Sequence, residues 1–260
     1  MSQTKAQLIA ADATFTISSD ATINSITVGK GANSVAGNTV LGESALDASN
    51  SGNGENTAIG KNALTSNTSG AYNAAVGSSS LFNNTTGDLN TAIGQGSLAA
   101  NTTGASNTGL GNGALNANTT ANNNTAVGKS ALLSNTTGTA NTAVGANALD
   151  ANTTSNNNTA LGSSALGATT GSQNTGVGSQ ALLANTSGSD NVAVGMNALV
   201  ANTTADDNTA VGFLALTSNT TGANNVAVGS RALDANTTAS ENVAVGTDAL
   251  TDNTTGTSNT

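Results

Sequence analysis

Asn141-Thr142-Ala143-Val144-Gly145-Ala146-Asn147-Ala148-Leu149-Asp150-Ala151-Asn152-Thr153-Thr154 decides how this chain folds, because nearly the same string returns throughout it. Copies open at Asn38, Asn56, Asn73, Asn90, Asn107, Asn124, Asn141, Asn158, Asn174, Asn191, Asn208, Asn225 and Asn242, and a last one begins at Asn259. The spacing is 17 residues, with one of 18 after Asn38 and one of 16 after Asn158. The consensus is N-T-A-V-G-x-x-A-L-x-x-N-T-T-G-x-x. Such a period identifies a repeat architecture before any local propensity is weighed.

Each column of the repeat carries its own constraint. The third is small, as in Ala126, Ala143 and Ala193, and the fourth is aliphatic, as in Val127, Val144 and Val194. The fifth is always Gly, including Gly128, Gly145 and Gly195, and the ninth is always Leu, including Leu132, Leu149 and Leu199. Identical residues at a fixed period stack above one another in a β-solenoid, where neighbouring coils pair and like side chains align. Seventeen residues are too few for a helical hairpin and suit two short strands with two turns. The invariant Gly marks a positive φ or a close backbone approach. Asn-Thr-Thr-Gly is turn chemistry, and the leading Asn can stack and bond to its copies up the axis. The expected fold is therefore all-β: a parallel β-solenoid, or β-roll, of about thirteen coils over residues 38–260.

Strand neighbours point to opposite sides. With Val127, Val144, Val194 and Leu132, Leu149, Leu199 filling the interior as the structural core, the adjacent Ala126, Ala143 and Ala193 face outward. Such a stripe of small residues is expected to pack between chains, giving a homo-oligomer, most simply a parallel homotrimer. Residues 1–37 fall outside the repeat. Residues 14–18, with Phe15, and residues 23–28 alternate like strands, and the segment reads as a cap or attachment piece.

Composition narrows the function. Of 260 residues, 7% are charged and 2% aromatic, with no Pro, Cys, His or Trp and a net charge of -9. A chain so poor in large side chains fills only a narrow core. Its five basic residues are scattered, so no nucleic-acid footprint exists. No run approaches the roughly 18 apolar residues of a membrane span. Met1 to Asp12 lack an apolar signal region, so synthesis and folding in a cytoplasm are expected. Acid–base and nucleophilic catalysis need a titrating pair held together. With no His or Cys, and acids in outer or turn columns, the chain reads as no enzyme, with no cofactor and no metal. Asp206-Asp207 could hold a cation weakly, and a solvated turn explains the pair as well.

The N-T-A-V-G-x-x-A-L block resembles the repeats in the β-roll heads of trimeric autotransporter adhesins. The longer string quoted above, from Asn141 to Thr154, looks more like repeats of phage tail-fibre and virion appendage proteins. The opening Met1-Ser2-Gln3-Thr4-Lys5-Ala6-Gln7-Leu8-Ile9 is similar to openings of structural proteins from phages of marine cyanobacteria. The resemblance implies a trimeric fibre on a virion, joined to baseplate or capsid by the N-terminal segment and presenting host-surface binding, to polysaccharide or protein. The alternatives are a bacterial cell-surface adhesin head or an ice-binding solenoid. Two further column readings stay open. Asn67, Asn84, Asn101, Asn118, Asn135, Asn152, Asn185, Asn202, Asn219, Asn236 and Asn253 sit in formal N-glycosylation sequons. Paired threonines such as Thr119-Thr120 and Thr136-Thr137 would form two parallel columns, a geometry that some ice-binding solenoids use.

Overall fold

A computed structural model describes residues 20–48 and 54–260. Among the described residues one 15-stranded sheet holds every strand in chain order, and the one helix is a short 3-10 turn at Ala32–Ser34. β1 (Ala21–Ile23) and β2 (Ile26–Gly29) form an antiparallel hairpin. The sequence reading placed one strand over residues 23–28. It is broken at Asn24 and Ser25, whose φ values of 49° and 67° make the two-residue turn that a right-twisted hairpin needs. The strand expected over residues 14–18 lies outside the described residues.

β2 pairs antiparallel with β3 (Thr39–Gly42), and from there the pattern is uniform. Twelve further three-residue strands, β4 (Thr57–Ile59) through β15 (Val243–Val245), pair parallel, each with its predecessor, in unbroken register. Thr142 pairs with Thr159 and Ala143 with Ala160. The missing residue of the 16-residue coil is absorbed in its turn, since Thr159 still pairs with Thr175. This is the expected parallel β-solenoid, with one strand per coil where two were expected. The Ala-Leu block is a turn: Ala131 N–H donates to Gly128 O at 3.4 Å, and Asn135 N–H to Leu132 O at 3.2 Å. Coils still bond to each other there, as Leu132 N–H donates to Ala148 O at 2.9 Å.

The interior differs from the sequence reading in its phase. Leu132, Leu149 and Leu199 are fully buried, and so are Ala126, Ala143 and Ala193, which were expected on the outside. Val127, Val144 and Val194, expected inside, lie half-buried on the outer surface of the sheet. The reason is width. A Cβ built at Gly109, which occupies the Ala column, would lie 2.4 Å from Ser97 Oγ. One built at Gly176 would lie 3.2 Å from Leu166 Cγ. In these coils the opposite wall thus reaches the first side-chain carbon of the column and leaves no room for the two further methyls of a Val. The first coil alone carries one there, the buried Val40 beside Ala58.

Both residues of the second apolar pair point inward, because strict alternation ends there. Leu132 has φ 51° and Leu149 φ 52°, in the left-handed region. That conformation costs a non-glycine residue about 1–2 kcal/mol. Full burial of a Leu side chain contributes about 1.5–3 kcal/mol, so burial wins. The residue before, Ala131 or Ala148, is buried as well.

Gly128, Gly145 and Gly195 behave as the repeat predicts. Their φ values are 135°, 139° and 138°. A Cβ at Gly145 would sit 2.4 Å from the backbone oxygen of Gly162 in the next coil. No other residue meets both conditions.

Candidate interaction faces

Two columns of asparagine close each coil from within. The first-column residues are buried, and Asn90 is typical. Its backbone N–H donates to Asn73 Oδ1 at 3.0 Å, and its Nδ2 donates to Asn73 Oδ1 at 3.2 Å and to Gly104 O at 2.8 Å. The Asn of the Asn-Thr-Thr turn faces the same carbonyl from the other side: Asn101 Nδ2 donates to Gly104 O at 2.9 Å and to Asn84 Oδ1 at 2.8 Å. One carbonyl per coil thus receives both amides, and the two ends of the coil are tied together. The repeat predicts a stacked series for the first column and only turn chemistry for the second. From Asn67 to Asn236 its residues are fully buried, which removes them as glycan acceptors.

The first Thr of most turns is also committed, Thr153, Thr237 and Thr254 being the exceptions. Thr85 Oγ1 donates to Thr102 O at 3.0 Å, and Thr119 Oγ1 to Thr136 O at 3.1 Å. The second Thr, as at Thr120 and Thr137, is exposed. That exposed column carries Ser69 and Ser187 in place of Thr and loses its residue altogether in the coil opened by Asn158. The array the ice reading needs is therefore interrupted, with most of its inner hydroxyls already bonded to backbone.

Acids in the turns have local work. Asp206 Oδ1 accepts from Ser189 N–H at 2.7 Å, and Asp88 Oδ1 from Ala71 N–H at 2.7 Å. Among the described residues no group of three His, Cys, Asp or Glu could hold a metal ion. Asp150 is partly buried. Loss of solvent raises its carboxyl above the usual range, opposed by its own and Ala151 backbone N–H groups. Arg231 pairs with Asp248 at 2.8 Å on the surface.

The outer face of the sheet is a continuous regular surface. The second and fourth columns both point outward in every coil, flanking the buried third. The fourth runs Leu41, Ile59, Val76, Ile93, Leu110, Val127, Val144, Leu161 and then five valines from Val177 to Val245. The second is Thr, Val or, once, Ala74, and neither column holds a charge. Leu161 is 47% exposed and Leu110 43%. Two smaller apolar spots lie elsewhere: Met196 with Phe213 in the sixth column, and Tyr72 with Leu89 in the seventeenth. The second pair is not marked by the repeat, because most of that column is polar. Comparison with protein-family models, curated proteins and solved structures returned no match.

Proposed function

We propose that the chain is the shaft of a fibre or spike, a structural element that spaces or presents surface binding away from the body carrying it. The observation that supports this is the unbroken register of twelve parallel strand pairs from β3 to β15. At about 4.8 Å per coil that stack is a rod of roughly 60 Å. Its polar side chains are spent on holding coil to coil: the asparagines bond inward and the inner threonines bond along the axis. Stiffness along one direction is what such an arrangement supplies. On this reading, which the repeat's resemblance to virion appendages supports, the shaft belongs to a phage particle, as a parallel homotrimer with residues 1–37 toward baseplate or capsid.

The test is to raise antibodies against the chain and apply them, gold-labelled, to the particles or cells that produce it. Label on projecting filaments is expected. Label confined to the soluble fraction overturns the reading.

A further inference from the structure

We propose that the outer face of the sheet, the second and fourth columns, is the surface through which copies of this chain pack on one another along the rod. The proposal rests on the shaft reading and names its partner. It also moves the contact from the alanine column, which one chain buries by itself, to the aliphatic column beside it.

The face has the size and chemistry of an interface. Thirteen aliphatic residues stand in one line, with Thr or Val beside nearly all of them and no charge among either column. At about 4.8 Å per coil and about 10 Å of width, it covers roughly 600 Å², near the ~800 Å² each partner gives to a stable complex. Monomeric proteins seldom expose an apolar patch beyond about 300–600 Å².

The repeat selects the occupant. A partner that fills this face along its whole length must present apolar groups at the same spacing, coil after coil. A second copy does so by construction, and sheet-on-sheet packing is the ordinary way for two such faces to meet. Charge points the same way. A chain of net charge -9 repels itself, and acids such as Asp190, Asp207 and Glu241 line the seventeenth column. Copies can approach along the face that carries none.

Light scattering on the purified full chain, at concentrations above about 10 µM, tests this. The wild type is expected at two or three times 24.8 kDa. The double variant Val127→Lys/Leu161→Lys, changed only on the outer face, is expected at the single-chain mass with its β circular dichroism intact. Thr137→Lys, in the exposed turn column, should keep the wild-type mass. A monomeric wild type, or a face variant that stays assembled, overturns the proposal. Should the face variant not fold, single cysteines decide: Thr142→Cys should give intermolecular disulfides on mild oxidation and Thr137→Cys should not. The absence of Thr142→Cys dimers overturns the proposal equally. A monomer still rod-shaped in electron micrographs would remove the interface and leave the shaft; a compact particle would remove both.

Discussion

Replacing Asn135 with Ala removes one rung from the inner amide column, and the structure fixes what is lost. Asn135 Nδ2 donates to Asn118 Oδ1 at 3.0 Å and to Gly138 O at 2.9 Å, while its Oδ1 accepts from Asn152 Nδ2 at 2.8 Å. Two of those partners keep another bond: Gly138 O still receives Asn124 Nδ2 at 2.8 Å, and Asn152 Nδ2 still reaches Ser155 O at 3.2 Å. Asn118 Oδ1 keeps none. A buried acceptor left without a donor costs about 1–3 kcal/mol, and the other lost bonds add about 1 kcal/mol net. The expected total is about 3 kcal/mol. With a urea slope of about 3 kcal/mol/M, the midpoint falls by about 1 M. Because coils contact only their neighbours, the transition should broaden as well. Urea titration followed by far-UV circular dichroism reads both effects. A midpoint shift below about 0.2 M would refute the view that these amides hold the coil closed.

Other perturbations follow from the same geometry. Ala126→Val forces two methyls into a filled interior and should cost about 1–3 kcal/mol, while Thr120→Val, in the exposed turn column, should cost under about 0.5 kcal/mol in the same titration. Thr169 stands where other coils have the inner Asn, and Asn152 Oδ1 beneath it is buried without a partner, so Thr169→Asn should stabilise by about 1 kcal/mol. Gly145→Ala, placed at φ 139° against Gly162 O, should cost about 3 kcal/mol or more and disturb local stacking, read by hydrogen exchange at the flanking coils. Burial raises the Asp150 carboxyl, so the native state binds its proton more readily than the unfolded chain. Its contribution is therefore favourable at low pH and is lost as pH rises through the carboxylate range. Asp150→Asn should gain on the wild type across that rise, and a constant difference would contradict the assignment.

The period alone made the solenoid legible, since one side-chain pattern returned thirteen times with a spacing that only stacking explains. Gly128, Gly145 and Gly195 were legible for the same reason: a position that accepts one residue type in every coil is a backbone constraint. The inside and outside of the strand were not. Alternation says that Ala143 and Val144 face opposite ways but not which faces in, and hydrophobicity favours the larger residue. The width of the interior decides, and that width is set by Leu149 and its neighbours folding in from the opposite wall. Leu149 in turn reaches inward beside Ala148 only because it accepts a left-handed backbone, which no propensity for Leu suggests. The inner amide column was hidden because Asn-Thr-Thr-Gly is ordinary surface turn chemistry. The cue available was its near-constancy, which an exposed turn does not require and which only Thr169 breaks among the described coils. The exposed aliphatic column was visible as a pattern throughout and was assigned to the wrong side.

If each 17-residue repeat is one coil stacked on the last, the distance between two spin labels must grow in proportion to the number of coils between them. Labels at Thr86→Cys with Thr154→Cys, four coils apart, should lie about 19 Å from each other, and Thr86→Cys with Thr221→Cys, eight coils apart, about 38 Å. Both pairs sit in the exposed second-Thr column, and dilution with unlabelled chain isolates distances within one copy. Narrow distributions that double from the first pair to the second are the predicted result. Distances that do not scale with the number of coils, or that spread over tens of ångströms, would contradict the stacked coil.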